Sequence, residues 1–468
     1  MQIWLGVENF AKIESAKINI SSYTLLVGPN NSGKTFLMQL VQGINEKFVN
    51  LLDEDVMDVL RSTESAEMQK FELSSDNISQ FTEYMNKKLE AEKEHIVKEI
   101  FGRDIPIERL YVDIFMEEDT VYEILVPGND ADAREKMIEF LKGMTKSVPE
   151  FLEKLPERAE MSILIKRVLM NKRSEMLSLT VSFSESKGEL VKQTLSRIID
   201  IYSLFLPASR AGLMLLYREY FANKADSAVS YRIEDSKVIE NKPDYRGLTQ
   251  PMYKFLRFLQ TYREDSRRIE KYHTELSFFE EKLIEGKIQV NQNGLLSYSS
   301  GKDTEDIPMY LASSMINEIA PLELVLTGSE EYECLIIDEV EASLHPEKQM
   351  ELARFLNRLS NKGMKLILST HSDTFVSKVN NLYILSRMVK DNGRTNSIRK
   401  LRLEQEELID PEKLHVYEFV SQSNGKSVVK EIIGDSQTGF QFDLFTESAM
   451  QLYEEALKLG EVQKDDKT

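Results

Sequence analysis

Apolar residues alternate at Ile3, Leu5 and Val7, and a compact apolar run, YTLLV, covers Tyr23 to Val27. Alternation with period two and short β-rich runs both predict strands. An amphipathic stretch from Phe36 to Phe48 follows, so the chain opens as strand, loop and helix. From about Asn50 to Glu285 the pattern is mostly helical, with β interludes at Leu110 to Pro127 and Met176 to Phe183. Ile269, Tyr272, Leu276, Phe279 and Leu283 place one apolar stripe on a helix. That stripe is too short for a long coiled coil and reads as a helix packed on its own domain. Lys287 to Tyr298, centred on Asn293-Gly294, predicts a hairpin. Ala312 to Leu326 predicts a helix, and Tyr332 to Ile337 and Lys365 to Ser369 predict buried strands. A second hairpin around Asn424-Gly425, a helix from Phe445 to Leu459 and a frayed tail, EVQKDDKT, complete the chain.

Composition narrows the class. The 468 residues suggest two or three folding units. Against 59 Lys+Arg stand 78 Asp+Glu, a net charge of −19, which argues against a surface that grips polyanions throughout. The single cysteine, Cys334, excludes an internal disulfide and a Cys-based zinc site. The opening MQIWLGVENFAKIE has neither a basic start nor a small-residue cleavage site, so no signal peptide is read. The best apolar run, Leu204 to Tyr217, is interrupted by Ser209 and Arg210, and no transmembrane span is expected. A soluble, cytoplasmic protein with no membrane partner is the expectation.

The strongest chemical signal is Gly28-Pro29-Asn30-Asn31-Ser32-Gly33-Lys34-Thr35, which matches G-x-x-x-x-G-K-[ST] in full. In such a loop the backbone N–H groups point at phosphate oxygens, and glycine lets the backbone come close. Lys34 then neutralises the β/γ-phosphates, Thr35 ligates Mg²⁺, and Phe36 opens the helix behind them. The apolar strand Leu335-Ile336-Ile337 ends in Asp338 and Glu339, which suit a water-bridged Mg²⁺ and the activation of the attacking water. Lys365 to Ser369 ends in Thr370-His371-Ser372, where a neutral His371 can donate to a γ-phosphate. Roughly 300 residues separate Lys34 from Asp338, so an insertion must divide one nucleotide-binding fold. The units read as residues 1–50 (first half of the head), 51–285 (a mainly helical insertion), 286–403 (second half) and 404–468 (a small hairpin-plus-helix appendage).

Together VENFAKIESAKINI…LLVGPNNSGKT, LIIDEVEASLHP and LILSTHSDTFV resemble the soluble branch of the ATP-binding-cassette (ABC) class of ATPases, with SMC, RecF and the overcoming-lysogenization-defect (OLD) family. Leu206-Pro207-Ala208-Ser209-Arg210 resembles a strand-end P-x-R of OLD-like members. The resemblance implies an α/β ABC-type P-loop ATPase head split by a large insertion. It also implies catalysis by Glu339, His371 and Lys34, Mg²⁺ at Thr35 and Asp338, and a homodimer that sandwiches two ATPs. The partner-facing signature falls on Ala312, Ser313, Ser314 and Met315, where the family's two glycines are replaced by serine. Phe10 and Tyr23 are candidates for stacking on the base, and His345 falls in the loop behind the carboxylates. The segment after Leu403 is too small for the toprim nuclease of full OLD proteins. The resemblance therefore points to free-standing OLD-like ATPases of bacterial antiphage systems, of PARIS or Septu type, with a separate nuclease or toxin effector.

Two basic clusters bear on partners: Lys166, Arg167, Lys172 and Arg173, and Arg387, Lys390, Arg394, Arg399, Lys400 and Arg402. They read either as surface paired with the abundant acids, or as a groove for DNA or an acidic viral protein. The functional readings are an ATP-gated switch controlling an effector, a RecF/SMC-like ATPase of DNA repair or tethering, and a nucleotide-binding scaffold with little turnover.

Overall fold

The computed structural model describes residues 1–458 apart from 54, 66, 129–131, 145–159, 171–172, 185–186, 200, 222–246, 291–294, 301–305, 394–395, 443–449, 451–452 and 457. Its main element is a nine-stranded sheet. Across the sheet the strands are β10 (Ser203–Leu206), β14 (Cys334–Ile337), β15 (Lys365–Thr370), β3 (Tyr23–Val27), β16 (Leu414–Ser421), β17 (Ser427–Ile432), β2 (Ile13–Asn19), β1 (Gln2–Phe10) and β6 (Arg109–Phe115). The first five are mutually parallel. Strands β10, β14 and β3 are buried along their whole length, as parallel strands covered on both faces must be, and this is why they read as unbroken apolar runs.

Alternate residues feed two cores. Leu25, Val27, Leu335, Ile337, Leu366 and Leu368 face one, while Leu26, Cys334, Ile336 and Ile367 face the other. Register aligns the C-terminal strand ends: Leu206 lies opposite Ile337, Ile337 opposite Leu368, and Thr370 opposite Val27. Loops leaving such ends gather on one edge of the sheet, where α/β folds hold their ligands.

Two stretches are organised differently from their sequence pattern. Residues 51–285 carry an antiparallel five-stranded sheet of β4 (Arg61–Glu64), β5 (Met68–Ser74), β7 (Thr120–Pro127), β8 (Glu160–Met170) and β9 (Arg173–Ser184), and they lend β6 and β10 to the main sheet. The helical character comes from elements such as the 24-residue helix Ile78–Phe101. The Asn424-Gly425 hairpin forms as β16–β17, but inside the main sheet rather than beside it, because β16 pairs in parallel with β3. Its Leu414, Val416, Tyr417 and Phe419 are all buried, so it has no free face on which to stand as an appendage.

The stripe from Ile269 to Leu283 survives, although its helix is divided into Ser266–Lys271, His273–Phe278 and a π-turn at Phe279–Ile284. Strands β11 (Lys287–Val290), β12 (Leu296–Ser299) and β13 (Ile307–Pro308) form a small third sheet. The Asn293-Gly294 turn between the first two lies outside the described residues, as do the tail EVQKDDKT and most of the Phe445–Leu459 helix. Among the described residues no helix is long and apolar enough to cross a membrane.

The placement of β16 has a measurable consequence. Phe419 is 1% exposed and packs under the glycine-rich loop. Phe419→Ala is expected to cost about 3–5 kcal/mol, read from the midpoint of denaturant unfolding. A change within experimental error would show the hairpin to be dispensable.

Candidate nucleotide-binding site

The loop from Gly28 to Thr35 joins β3 to the helix α1 (Lys34–Asn45). Gly28 and Gly33 have φ of 151° and 106°. A Cβ on Gly28 would lie 2.7 Å from the Cβ of Phe419, and one on Gly33 2.8 Å from Ile13 Cγ1, so both conformation and space require glycine. Asn31 takes a left-handed φ of 62°, which asparagine tolerates.

Lys34 folds back over the loop. Its ammonium donates to the carbonyls of Gly28 and Pro29 at 2.9 Å each and to Ser32 Oγ at 3.3 Å. The residue is 5% exposed, and burial pushes its pKa down to about 8 against the pull of Asp338, Glu339 and Glu341.

Two strand ends meet this loop. Asp338, just past β14, accepts from Thr35 Oγ1 at 2.7 Å and from Ser369 Oγ at 2.5 Å. Ser369 Oγ also accepts the Glu339 N–H at 2.8 Å. Glu339 holds a left-handed φ of 47°, a costly conformation for a residue with a side chain. Its carboxyl is half-buried, and burial first, then Asp338 and Glu341, raise its pKa, with Lys34 and Arg210 opposing.

His371 is pinned between the end of β15 and Ser372, whose Oγ caps the helix Asp373–Asn392. Burial, then Lys34, lower its pKa, which favours the neutral imidazole. Its backbone N–H donates to Glu341 Oε1 at 2.6 Å, while Glu341 Oε2 is buried without a partner.

The structure thus brings Lys34, Thr35, Asp338, Glu339 and His371 together. Phe36 turns its ring onto Phe10 and Phe101, with centroids at 6.3 and 5.4 Å. Phe10 and Tyr23 are 0% and 1% exposed, so neither can stack on a base. They are apolar strand residues whose side chains the two cores claim. His345 caps the helix Pro346–Asn361. Ala312–Met315 stand apart: Ser313 caps the helix Ser314–Thr327 by accepting from Ile316 N, and Ser313 and Ser314 are exposed. Their neighbours Tyr310 and Leu311 are 71% and 67% exposed.

Two contributors escape a reading of motifs alone, Ser369 and Glu341, while Arg210 stands in the strand-end P-x-R resemblance with no role attached to it. Ser369 ends an apolar strand, Glu341 follows the carboxylate pair by two positions, and Arg210 interrupts an apolar run. The donor pair of Thr35 hydroxyl and Asp338 carboxylate fits Mg²⁺, which takes one or two protein oxygens and completes its shell with phosphate and water.

The AAA ATPase domain family matches residues 3–376. The chain belongs to the AAA ATPase domain family. Its α/β sheet with a glycine-rich loop between strand and helix is a P-loop ATPase fold, and the matched span holds every residue of the site described above. Several solved structures also align with this ATPase at low similarity. One is an SMC head domain from Thermotoga maritima (12% identity, 92% of this chain and 100% of that one, TM-score 0.29). Another is an SMC head with an extended coiled coil bound to the C-terminal domain of ScpA derived from Pyrococcus furiosus (12%, 97% and 98%, TM-score 0.30). A third is an SMC head bound to the C-winged helix domain of ScpA (12%, 92% and 96%, TM-score 0.34). Superpositions this loose carry no argument about the ATPase. No curated protein matches it.

Ser369 tests the geometry without nucleotide. Ser369→Ala leaves Asp338 Oδ1 and the Glu339 N–H without their partner, and is expected to cost about 1–3 kcal/mol of stability. Differential unfolding against wild type measures it, and Ser369→Thr should restore part of the loss.

Proposed function

We propose that this ATPase is an ATP-hydrolysing switch. The observation that carries the reading is the hydrogen-bonded chain Thr35–Asp338–Ser369–Glu339, which couples the glycine-rich loop to the carboxylate strand. In it the phosphates take the loop N–H groups at the start of α1, and Lys34 leaves the loop carbonyls for the β/γ-phosphates. Thr35 and Asp338 would hold Mg²⁺, which would supply neutralisation of phosphate charge. Glu339, with its raised pKa, is suited to take a proton from the attacking water, and neutral His371 donates toward the γ-phosphate. Exposed Ser313 and Ser314, flanked by exposed Tyr310 and Leu311, are suited to close a second subunit's ATP in a homodimer.

The finer reading is an ABC-class, OLD-like ATPase of a bacterial antiphage system controlling a separate nuclease or toxin. It rests on the sequence resemblance and is supported by a site that gathers Lys34, Thr35, Asp338, Glu339 and His371. A RecF/SMC-like role on DNA is the second reading, and the exposed Arg399, Lys400 and Arg402 favour it. The rest of the basic surface is largely occupied: Arg167 pairs with Glu123, Arg387 with Asp391 and Glu412, and Lys390 with Asp410 and Glu412. Lys172, Arg394 and the side chain of Arg173 lie outside the described residues. DNA-stimulated hydrolysis with a steep salt dependence would select the second reading.

Glu339→Gln is expected to lower kcat by about 10²–10⁴-fold while ATP stays bound and the closed dimer accumulates on size-exclusion chromatography. A single-turnover rate equal to wild type would remove Glu339 from the chemistry. Lys34 sets a pH dependence. Only its ammonium form attracts phosphate, so ATP affinity should be level below pH 8 and fall by up to about tenfold per unit above it. Titration calorimetry between pH 7 and 9.5 measures this, and a flat profile would contradict it.

A further inference from the structure

Among the described residues Arg210 is the largest fully buried side chain, 2% exposed, at the start of the helical stretch 210–221 that follows β10. A guanidinium in that position must spend its donors on fixed acceptors. Nε donates to the Glu318 carbonyl at 2.9 Å, and Glu318 Oε2 lies 3.1 Å from the same nitrogen as a charge contact. Nη1 donates to the carbonyls of Asp338 at 2.7 Å and Pro207 at 3.2 Å, and Nη2 to that of Glu339 at 3.2 Å. Glu318 Oε1 accepts the Ala211 N–H at 3.3 Å, closing the network on itself.

Two of these acceptors bracket one residue. The carbonyls of Asp338 and Glu339 stand on either side of the left-handed Glu339 backbone, whose N–H is held by Ser369. Such a conformation persists only where its surroundings over-determine it. The other end of the network sits on the helix Ser314–Thr327, where Glu318 follows Ser314 by four positions and shares its face.

We propose that Arg210 is a positioning residue that sets the direction of the Glu339 carboxylate and ties it, through Glu318, to the Ser313–Ser314 end of the same subunit. This rests on the ATPase reading above. A phosphate arriving at Ser313 and Ser314 shifts the first turn of their helix, Glu318 follows, and the planar guanidinium passes the shift to the backbone around Glu339. Each subunit's catalytic carboxylate is thereby aligned by the ATP that the subunit closes for its partner.

The test uses the full chain. Arg210→Lys keeps the charge but replaces a planar five-donor fork by a three-donor ammonium that cannot span the four carbonyls the guanidinium holds. It is expected to lower kcat by about 10–100-fold, with KM and nucleotide Kd within about threefold of wild type. Glu318→Gln should blunt the rise of specific activity with protein concentration that dimerisation produces.

A folded Arg210→Lys with wild-type kcat, or with kcat and nucleotide affinity reduced together, overturns the proposal. If Arg210→Lys lacks a cooperative melt, Glu318→Gln decides, and an unaltered concentration dependence overturns it. If the wild type hydrolyses no ATP, the ATPase reading has failed rather than this one. Amide exchange at Glu339 and Val340 then decides: faster exchange in Arg210→Lys supports the positioning role, and unchanged exchange overturns it.

Discussion

Asp338 places a carboxylate at 3% exposure, where an ion is tolerated only if its oxygens are occupied. Ser369 fills one and Thr35 the other, and these come from the end of β15 and the start of α1. Satisfying one buried charge therefore requires β14, β15 and β3 to lie side by side with their C-terminal ends level. The parallel register does this, with Ile337 opposite Leu368 and Thr370 opposite Val27. The rest of the protein serves that alignment: two apolar cores clamp the strands, and β16 covers the far side of β3 while setting Phe419 beneath Gly28.

The same burial sets the chemistry. Lys34 and His371 are pushed down and Glu339 is pushed up, and in each the largest cause is loss of solvent. All three are moved toward their neutral forms before any ligand arrives. The incoming phosphates would reverse this for Lys34 by supplying the opposite charge that the loop carbonyls only partly replace. Glu339 keeps a raised proton affinity because it is partly buried and has Asp338 and Glu341 close by, which is the environment a proton acceptor needs. Arg210 limits how far that rise goes, so one side chain acts on both the geometry and the proton affinity of Glu339.

Much of the site was legible in the chain itself. Gly28 to Thr35, Asp338, Glu339 and His371 could each be read from a strand followed by a short polar or glycine-rich turn, and the structure assembles them. Ser369 was legible only as the last residue of a predicted strand, and Arg210 as a break in an apolar run and the end of a P-x-R resemblance, with no role attached to it. The C-terminal hairpin was legible as a hairpin, yet its place was not, because nothing local to Leu414–Ser421 distinguishes an edge strand from one inserted beside β3. Likewise, the composition of residues 51–285 concealed that two of their strands complete the main sheet.

The sequence by itself determined the features that need only neighbours along the chain: the glycines that permit positive φ, the serine that caps a helix, and the apolar strands that end in carboxylates. Their geometry is settled within a few residues, so their pattern is enough. The tertiary structure decided which strand ends share an edge, which buried oxygen meets which hydroxyl, and that a guanidinium binds the carbonyls of Asp338 and Glu339 from a position over a hundred residues earlier. These depend on pairing register and on desolvation, and both arise only when distant segments exclude water together.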